Sequence, residues 1–181
     1  MAIIFLSGVH GVGKTTISKK LSAELSIQWF SSSSLIKEHN NALIASCTKN
    51  VKNISSNQNA LINSVCKLKN KYENFILEGH ATILNSEGKV ILLNSEIFKS
   101  LGVNSIVALF VSPRIIYERL FLRDGHSPAI HKIIRHQKFE ILNSKKISHD
   151  IGVDFSIHNS FDMHSIANAI KKSYKRGCRV V

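Results

Sequence analysis

Gly8-Val9-His10-Gly11-Val12-Gly13-Lys14-Thr15 is the stretch that decides how this chain folds. It has the form G-x-x-x-x-G-K-T, and its neighbours suit it. Ahead of it, Ala2-Ile3-Ile4-Phe5-Leu6 is a short apolar run of the kind that forms a buried strand. Behind it, Thr16 to Ser26 places Ile17, Leu21 and Leu25 four residues apart, as on an amphipathic helix. A glycine turn between strand and helix lets successive N–H groups converge into an anion nest, and the helix adds the positive end of its dipole. The expected phosphate-binding residues are therefore Gly8, His10, Gly11, Val12, Gly13, Lys14, Thr15 and Thr16. Lys14 can reach the β- and γ-phosphates of a nucleoside triphosphate as a point charge, and the Thr15 hydroxyl can take a position on Mg²⁺.

The totals narrow the rest. A chain of 181 residues suits one domain with one sizeable core. With 44% apolar residues and only two prolines it reads as compact, and no apolar run approaches the roughly 20 residues that span a bilayer, so no membrane association is expected. Met1 leads directly into the first apolar run, so no signal peptide is expected. Cys47, Cys66 and Cys178 lie far apart and suit reduced structural thiols, which together with the previous point suggests a cytoplasmic protein. The formal net charge is +12, which favours anionic partners. Part of that excess falls near the C-terminus, at Lys171, Lys172, Lys175, Arg176 and Arg179. Such a cluster is either a solvated helix face or a docking patch for nucleic acid or an acidic protein.

Strands and helices alternate along the chain, which implies a parallel sheet covered on both faces. Strands are expected at 2–7, 27–30, 74–79, 105–111 and 154–158. Helices are expected at 16–26, 33–46, 58–72, 94–101, from Pro113 onward, at 130–147 and from Met163 onward. A polar stretch at 48–59 separates two of the helices. Residues 82–92 read as a small hairpin outside the main sheet, turning at 85–88. Gly102 is placed to end a helix, and Pro113 to begin one.

Four features in this order resemble the adenylate kinase-like branch of the P-loop nucleoside monophosphate kinases, over nearly the whole length. They are the loop at Gly8 to Thr15; Ser32-Ser33-Ser34-Leu35-Ile36-Lys37; Leu77-Glu78-Gly79-His80; and Arg119 with Arg123. The Glu-Gly-His form, followed by the hairpin, is most similar to small bacterial AAA-type ATP-binding proteins related to archaeal-type adenylate kinases. The resemblance implies a three-layer α/β P-loop NTPase fold with a five-stranded, mostly parallel sheet in the order 2-3-1-4-5. It also implies a single domain over 1–181, with an acceptor-binding segment at about 32–72 and a short lid at about 122–137.

The resemblance extends to roles. Arg119 and Arg123 share a helix face, being four residues apart. The first would lie near the ATP base or phosphates, and the second would offset charge on the transferring phosphoryl group. Arg135, beyond the short loop, either closes over the site as a further lid cation or solvates its helix. Ser34 and Lys37 fall where the family grips the acceptor, usually with aspartate and arginine; lysine supplies the charge without the bidentate fork. Glu78, ending a strand beside the loop, either holds Mg²⁺ through water or salt-bridges a lysine. His80 either points into the acceptor site or is a satisfied loop histidine. Bacterial adenylate kinases continue this motif into an arginine that binds the acceptor phosphate, whereas this chain reads His80-Ala81-Thr82. His126, His131 and His136 lack the spacing of a zinc site.

The expected activity is phosphoryl transfer from Mg²⁺-ATP to a small phosphorylated acceptor, in the first instance a nucleoside monophosphate. Two alternatives remain open. One is an ATP-driven switch or assembly subunit with a protein or nucleic-acid partner. The other is a kinase acting on a hydroxyl of a nucleoside, sugar or polynucleotide end, which calls for a base near the acceptor.

Overall fold

A computed structural model of the chain describes residues 1–45, 54–85 and 87–177. Five parallel strands form the main sheet: β1 (Ala2–Ser7), β2 (Gln28–Ser31), β3 (Asn74–Gly79), β6 (Ser105–Phe110) and β7 (Asp154–Asn159). Their order is β2-β3-β1-β6-β7. The expected order 2-3-1-4-5 counted main-sheet strands alone; here the hairpin strands β4 (Thr82–Leu84) and β5 (Val90–Leu92) take numbers in between. They pair antiparallel in a separate sheet, Thr82 opposite Leu92.

The sheet is covered on both faces because strand side chains alternate. Every residue of β1 is buried. Ile4 and Leu6 face one layer, packing with Ile17 and Leu21 of α1 (Lys14–Leu25) and Ile166 and Ile170 of α7 (Met163–Gly177). Ile3 and Phe5 face the other. There they meet Leu61 and Val65 of α3 (Ile54–Lys69), Phe98 and Leu101 of α4 (Ser95–Leu101), and Ile147 of α6 (Ile130–Ile151). Two more helices, α2 (Ser32–Ala45) and α5 (Pro113–Asp124), complete the set.

Several boundaries differ from the periodicity reading. Within the expected polar stretch, α3 already begins at Ile54, so 55–58 are helical. Helix α6 continues to Ile151, past the expected 147, because Ile147 and Ser148 are still buried; Gly152, at φ 70°, then ends it. Pro113 opens α5, and Gly102 ends α4 with its N–H donated to the carbonyls of Lys99 and Phe98. No helix among the described residues is long and apolar enough to cross a membrane. Cys66 is a free, exposed thiol, while Cys47 and Cys178 lie outside the described residues.

Candidate active site

The phosphate loop joins the buried end of β1 to α1. Gly11 (φ 79°) and Gly13 (φ 110°) take left-handed conformations that a side chain resists. A Cβ on Gly13 would also sit 3.2 Å from the guanidinium of Arg119. That approach matters, because Arg119 donates to the carbonyl oxygens of Gly11 (3.1 Å) and Val12 (2.9 Å). The carbonyl and N–H of one peptide point opposite ways, so fixing those carbonyls also orients the N–H groups that follow them. Arg119 thus shapes the loop as well as lining the cleft beside it.

Lys14 turns its ammonium back onto the loop, donating to the carbonyls of Gly8 and Val9. Burial pushes its pKa down to about 8, against the opposite pull of the Glu140 and Glu78 carboxyl groups. The Thr15 hydroxyl donates to Oε1 of Glu78 at 2.8 Å, and Ser18 donates to Oε2 at 3.0 Å. Glu78 is buried at the end of β3, where the hydroxyls of Thr15 and Ser18 hold it, and among the described residues no lysine lies within ion-pair distance of it. A hydroxyl and a carboxyl already within hydrogen-bond distance, next to a phosphate loop, form an oxygen donor set that suits Mg²⁺.

The same cleft, of about 900 Å³, is lined by most of the residues singled out in the sequence. His10, Gly11, Val12, Gly13, Lys14, Thr15, Thr16, Glu78, His80, Arg119 and Arg123 all border it. The rings of His10 and His80 lie 4.2 Å apart. Burial, then the charge on Lys14, hold both imidazoles well below the usual value, His10 at about 4 and His80 at about 2. Arg123 is exposed and engages Asp124 through two contacts of 2.7 Å.

Ser34, Lys37 and Arg135 are placed differently. One side of α2 buries Ser32 and Leu35 and brings Ser33 and Ile36 to the cleft, which leaves Ser34 and Lys37 exposed to solvent. Arg135 is exposed on α6, with its guanidinium 5.7 Å from the centre of the Phe139 ring, and does not border the cleft. Of the expected lid, 125–129 is the segment between α5 and α6, and both flanks are helical. In the basic C-terminal cluster, Lys172 is exposed and Lys171 lies 3.5 Å from Glu24. The side chains of Lys175, Arg176 and Arg179 fall outside the described residues.

Two groups of residues escaped the sequence reading. Ser160, Phe161 and Met163, just after β7, border the cleft, with Phe161 5.5 Å under the Arg119 guanidinium. The second is Glu140, 1% exposed on the inner face of α6. Its carboxyl group accepts from the N–H groups of Gly8 (3.2 Å), Ala81 (2.7 Å) and Thr82 (2.8 Å), and from the hydroxyls of Ser7 (2.6 Å) and Thr82. Neighbours on α6 continue the pattern. The His136 ring lies 3.1 Å from the Thr82 hydroxyl, Gln137 bonds both backbone groups of Val111, and Asn143 donates to the carbonyls of Ala81 and Leu93. A run of polar residues at helical spacing was the available signal, but that pattern normally marks a solvent face.

Comparison with known proteins gives a family and a shared fold. Residues 7–134 match a family model described as an AAA domain. Among solved structures, the chain is similar to a shikimate kinase from Acinetobacter baumannii in complex with shikimate. Identity there is 16%, the TM-score is 0.60, and the match covers 99% of this chain and 96% of that one. A shikimate kinase from Bacteroides thetaiotaomicron is similar at 16% identity and TM-score 0.55, covering 96% and 98% of the two chains. A gluconokinase from Sinorhizobium meliloti is similar at 12% identity and TM-score 0.50, covering 97% of each. These likenesses show a shared fold. No curated protein matches the sequence.

Proposed function

The chain belongs to the AAA domain family, and from that premise we propose that it is an ATP-dependent phosphotransferase acting on a small molecule held in the same cleft. The observation that carries this reading is the Thr15–Glu78 contact beside Lys14, bordering a cleft that residues of α2, α3 and α4 also line. A phosphate loop that only bound nucleotide would not need the space on that further side. The kinase fold supports the same reading.

Lys14 and the loop N–H groups would hold the phosphates, with Thr15 and Glu78 as the residues to hold Mg²⁺, which when bound offsets phosphate charge. Arg119 and Phe161 border the side of the cleft where the nucleotide base and ribose would lie. Arg123 stands one helical turn further on, placed to offset charge on the transferring group once released from Asp124. Positioning and charge compensation account for most of what such a reaction asks of a protein.

The test is transfer from γ-labelled ATP to a panel of acceptors that includes nucleoside monophosphates, the acceptor class the resemblance implies. Lys14→Ala serves as the control. A labelled product that vanishes in the variant supports the reading. ATP turnover without a labelled acceptor, stimulated by nucleic acid, would instead favour a switch or assembly role, for which the charge of +12 is the supporting observation.

A further inference from the structure

The cleft has two sides of different chemistry. Among the described residues, its lysines and arginines are Lys14, Lys20, Arg119 and Arg123, all carried by α1 and α5 next to the phosphate loop. The opposite side is built by α2, α3, the end of β3, the hairpin and α4. Among the described residues it brings no lysine or arginine to the cleft, and its one carboxyl, Glu78, is already engaged with Thr15 and Ser18. Its wall is apolar, with Ile36, Leu61, Ile97 and Phe98.

The polar groups on this side are neutral hydrogen-bonding ones. Asn57 and Gln58 reach the cleft from the first turn of α3. The hydroxyl of Ser32 is more telling: the residue is 9% exposed, borders the cleft, and its Oγ makes no hydrogen bond. Nδ1 of His80, bordering the same space, is also buried without a hydrogen bond. Buried polar atoms are as a rule paired, so two orphans on residues that border one cavity point to polar groups that a ligand there would bring. A phosphate dianion placed against this wall would lose its hydration, with no lysine or arginine among the described residues of the wall to replace it. A hydroxyl would exchange its hydrogen bonds to water for bonds to these orphans.

We propose that the phosphoryl acceptor is an uncharged, multiply hydroxylated small molecule of the nucleoside or sugar kind, bound with its hydroxyls toward Ser32 and His80 and its less polar face on the wall around Phe98. This rests on the phosphotransferase reading above. In the transfer, an acceptor hydroxyl oxygen forms the new bond to the γ-phosphorus. The bond from that phosphorus to the β–γ bridging oxygen breaks, and ADP leaves with the electron pair. In a loose transition state the hydroxyl proton departs late. It passes to an oxygen of the transferred group and then to water, so the base that a hydroxyl acceptor was expected to call for is not required on this route.

The test uses the full chain and γ-labelled ATP. A cellular small-molecule extract is divided on an anion exchanger into an uncharged flow-through and a retained anionic fraction. The proposal expects a labelled phosphomonoester from the flow-through, and purified nucleosides and sugars, assayed separately, then distinguish the two sources. Label arising only from the retained fraction, or only from nucleoside monophosphates, overturns this proposal and leaves the phosphotransferase reading standing. No transfer from either fraction overturns both. Ser32→Ala removes a hydroxyl that bonds nothing within the protein, so its melting temperature should hold while KM for the acceptor rises roughly five- to tenfold. An unchanged KM would overturn the placement of the acceptor against Ser32.

Discussion

Glu140 accepts a hydrogen bond from the N–H of Gly8 at 3.2 Å, across 132 positions of sequence. The bond ties the first glycine of the phosphate loop to the middle of α6. Through the same carboxyl group the loop is tied to Ala81 and Thr82, where the chain leaves β3 for the hairpin. One buried side chain therefore sets the relative positions of the phosphate loop, the strand end that carries Glu78, and α6.

Replacing that side chain should be costly. Glu140→Ala leaves the N–H groups of Gly8, Ala81 and Thr82 without their acceptor, and each unpaired buried group costs about 1–3 kcal/mol. A total loss above about 3 kcal/mol in urea unfolding is expected. Glu140→Gln keeps the shape but turns an N–H₂ toward one of these donors, so a loss of about 1–2 kcal/mol is expected. A Glu140→Ala protein within 0.5 kcal/mol of the wild type would contradict the network.

Nucleotide affinity should fall as pH rises above about 8. Lys14 in the free protein, its pKa pushed down to about 8 by burial, is neutral above that point. Phosphate binding favours the charged form, so binding at higher pH must take up a proton, weakening affinity by up to about tenfold per pH unit. Titration calorimetry in buffers of different ionisation enthalpy checks this, and affinity that is flat from pH 7.5 to 9.5 would contradict it. The effect on stability has the opposite sense. A lysine depressed in the folded state carries a penalty that is fully present below about 8 and is relieved as pH rises toward 10.5. Lys14→Met should abolish nucleotide binding without lowering stability at pH 7.

Acid should destabilise the fold through the histidines at the cleft. His80 is held neutral by burial, at about 2, while its unfolded form takes a proton near 6.5. Stability is therefore fully present above 6.5 and is lost as pH falls below it, by up to about 1.4 kcal/mol per unit. His10 acts in the same direction, from 6.5 down to about 4, but is only partly withdrawn from solvent and contributes less. His80→Gln should flatten the dependence of the unfolding midpoint between pH 6.5 and 4.5. An unchanged slope would assign the acid sensitivity elsewhere.

The arginines should separate by position. Arg119→Ala removes two hydrogen bonds to the loop and one wall of the cleft, so nucleotide affinity should fall by about tenfold or more. Arg135→Ala removes a guanidinium resting over Phe139, and turnover should stay within about threefold. A hundredfold loss of turnover in Arg135→Ala would place that residue in the working site after all.

Much of this arrangement was legible in the residues. The loop at Gly8 to Thr15 has a local signature, because glycine conformation, strand pattern and helix pattern are all set within about 25 positions. The hairpin at 82–92 and the helix end at Gly102 were readable for the same reason. Ser34 and Lys37 show the limit: α2 borders the cleft, but its rotation brings Ser33 and Ile36 there and leaves Ser34 and Lys37 exposed.

Periodicity and glycine over short spans were enough for the α/β order, the central strand and the phosphate loop. What stands around them depends on packing between distant segments. Glu140 meets Gly8, Phe161 meets Arg119, and Ser32 meets the end of β3 only after the strands have paired and the helices have packed. A carboxyl on a helix carries no local mark of whether it faces water or a row of buried N–H groups, because burial belongs to the assembled layers.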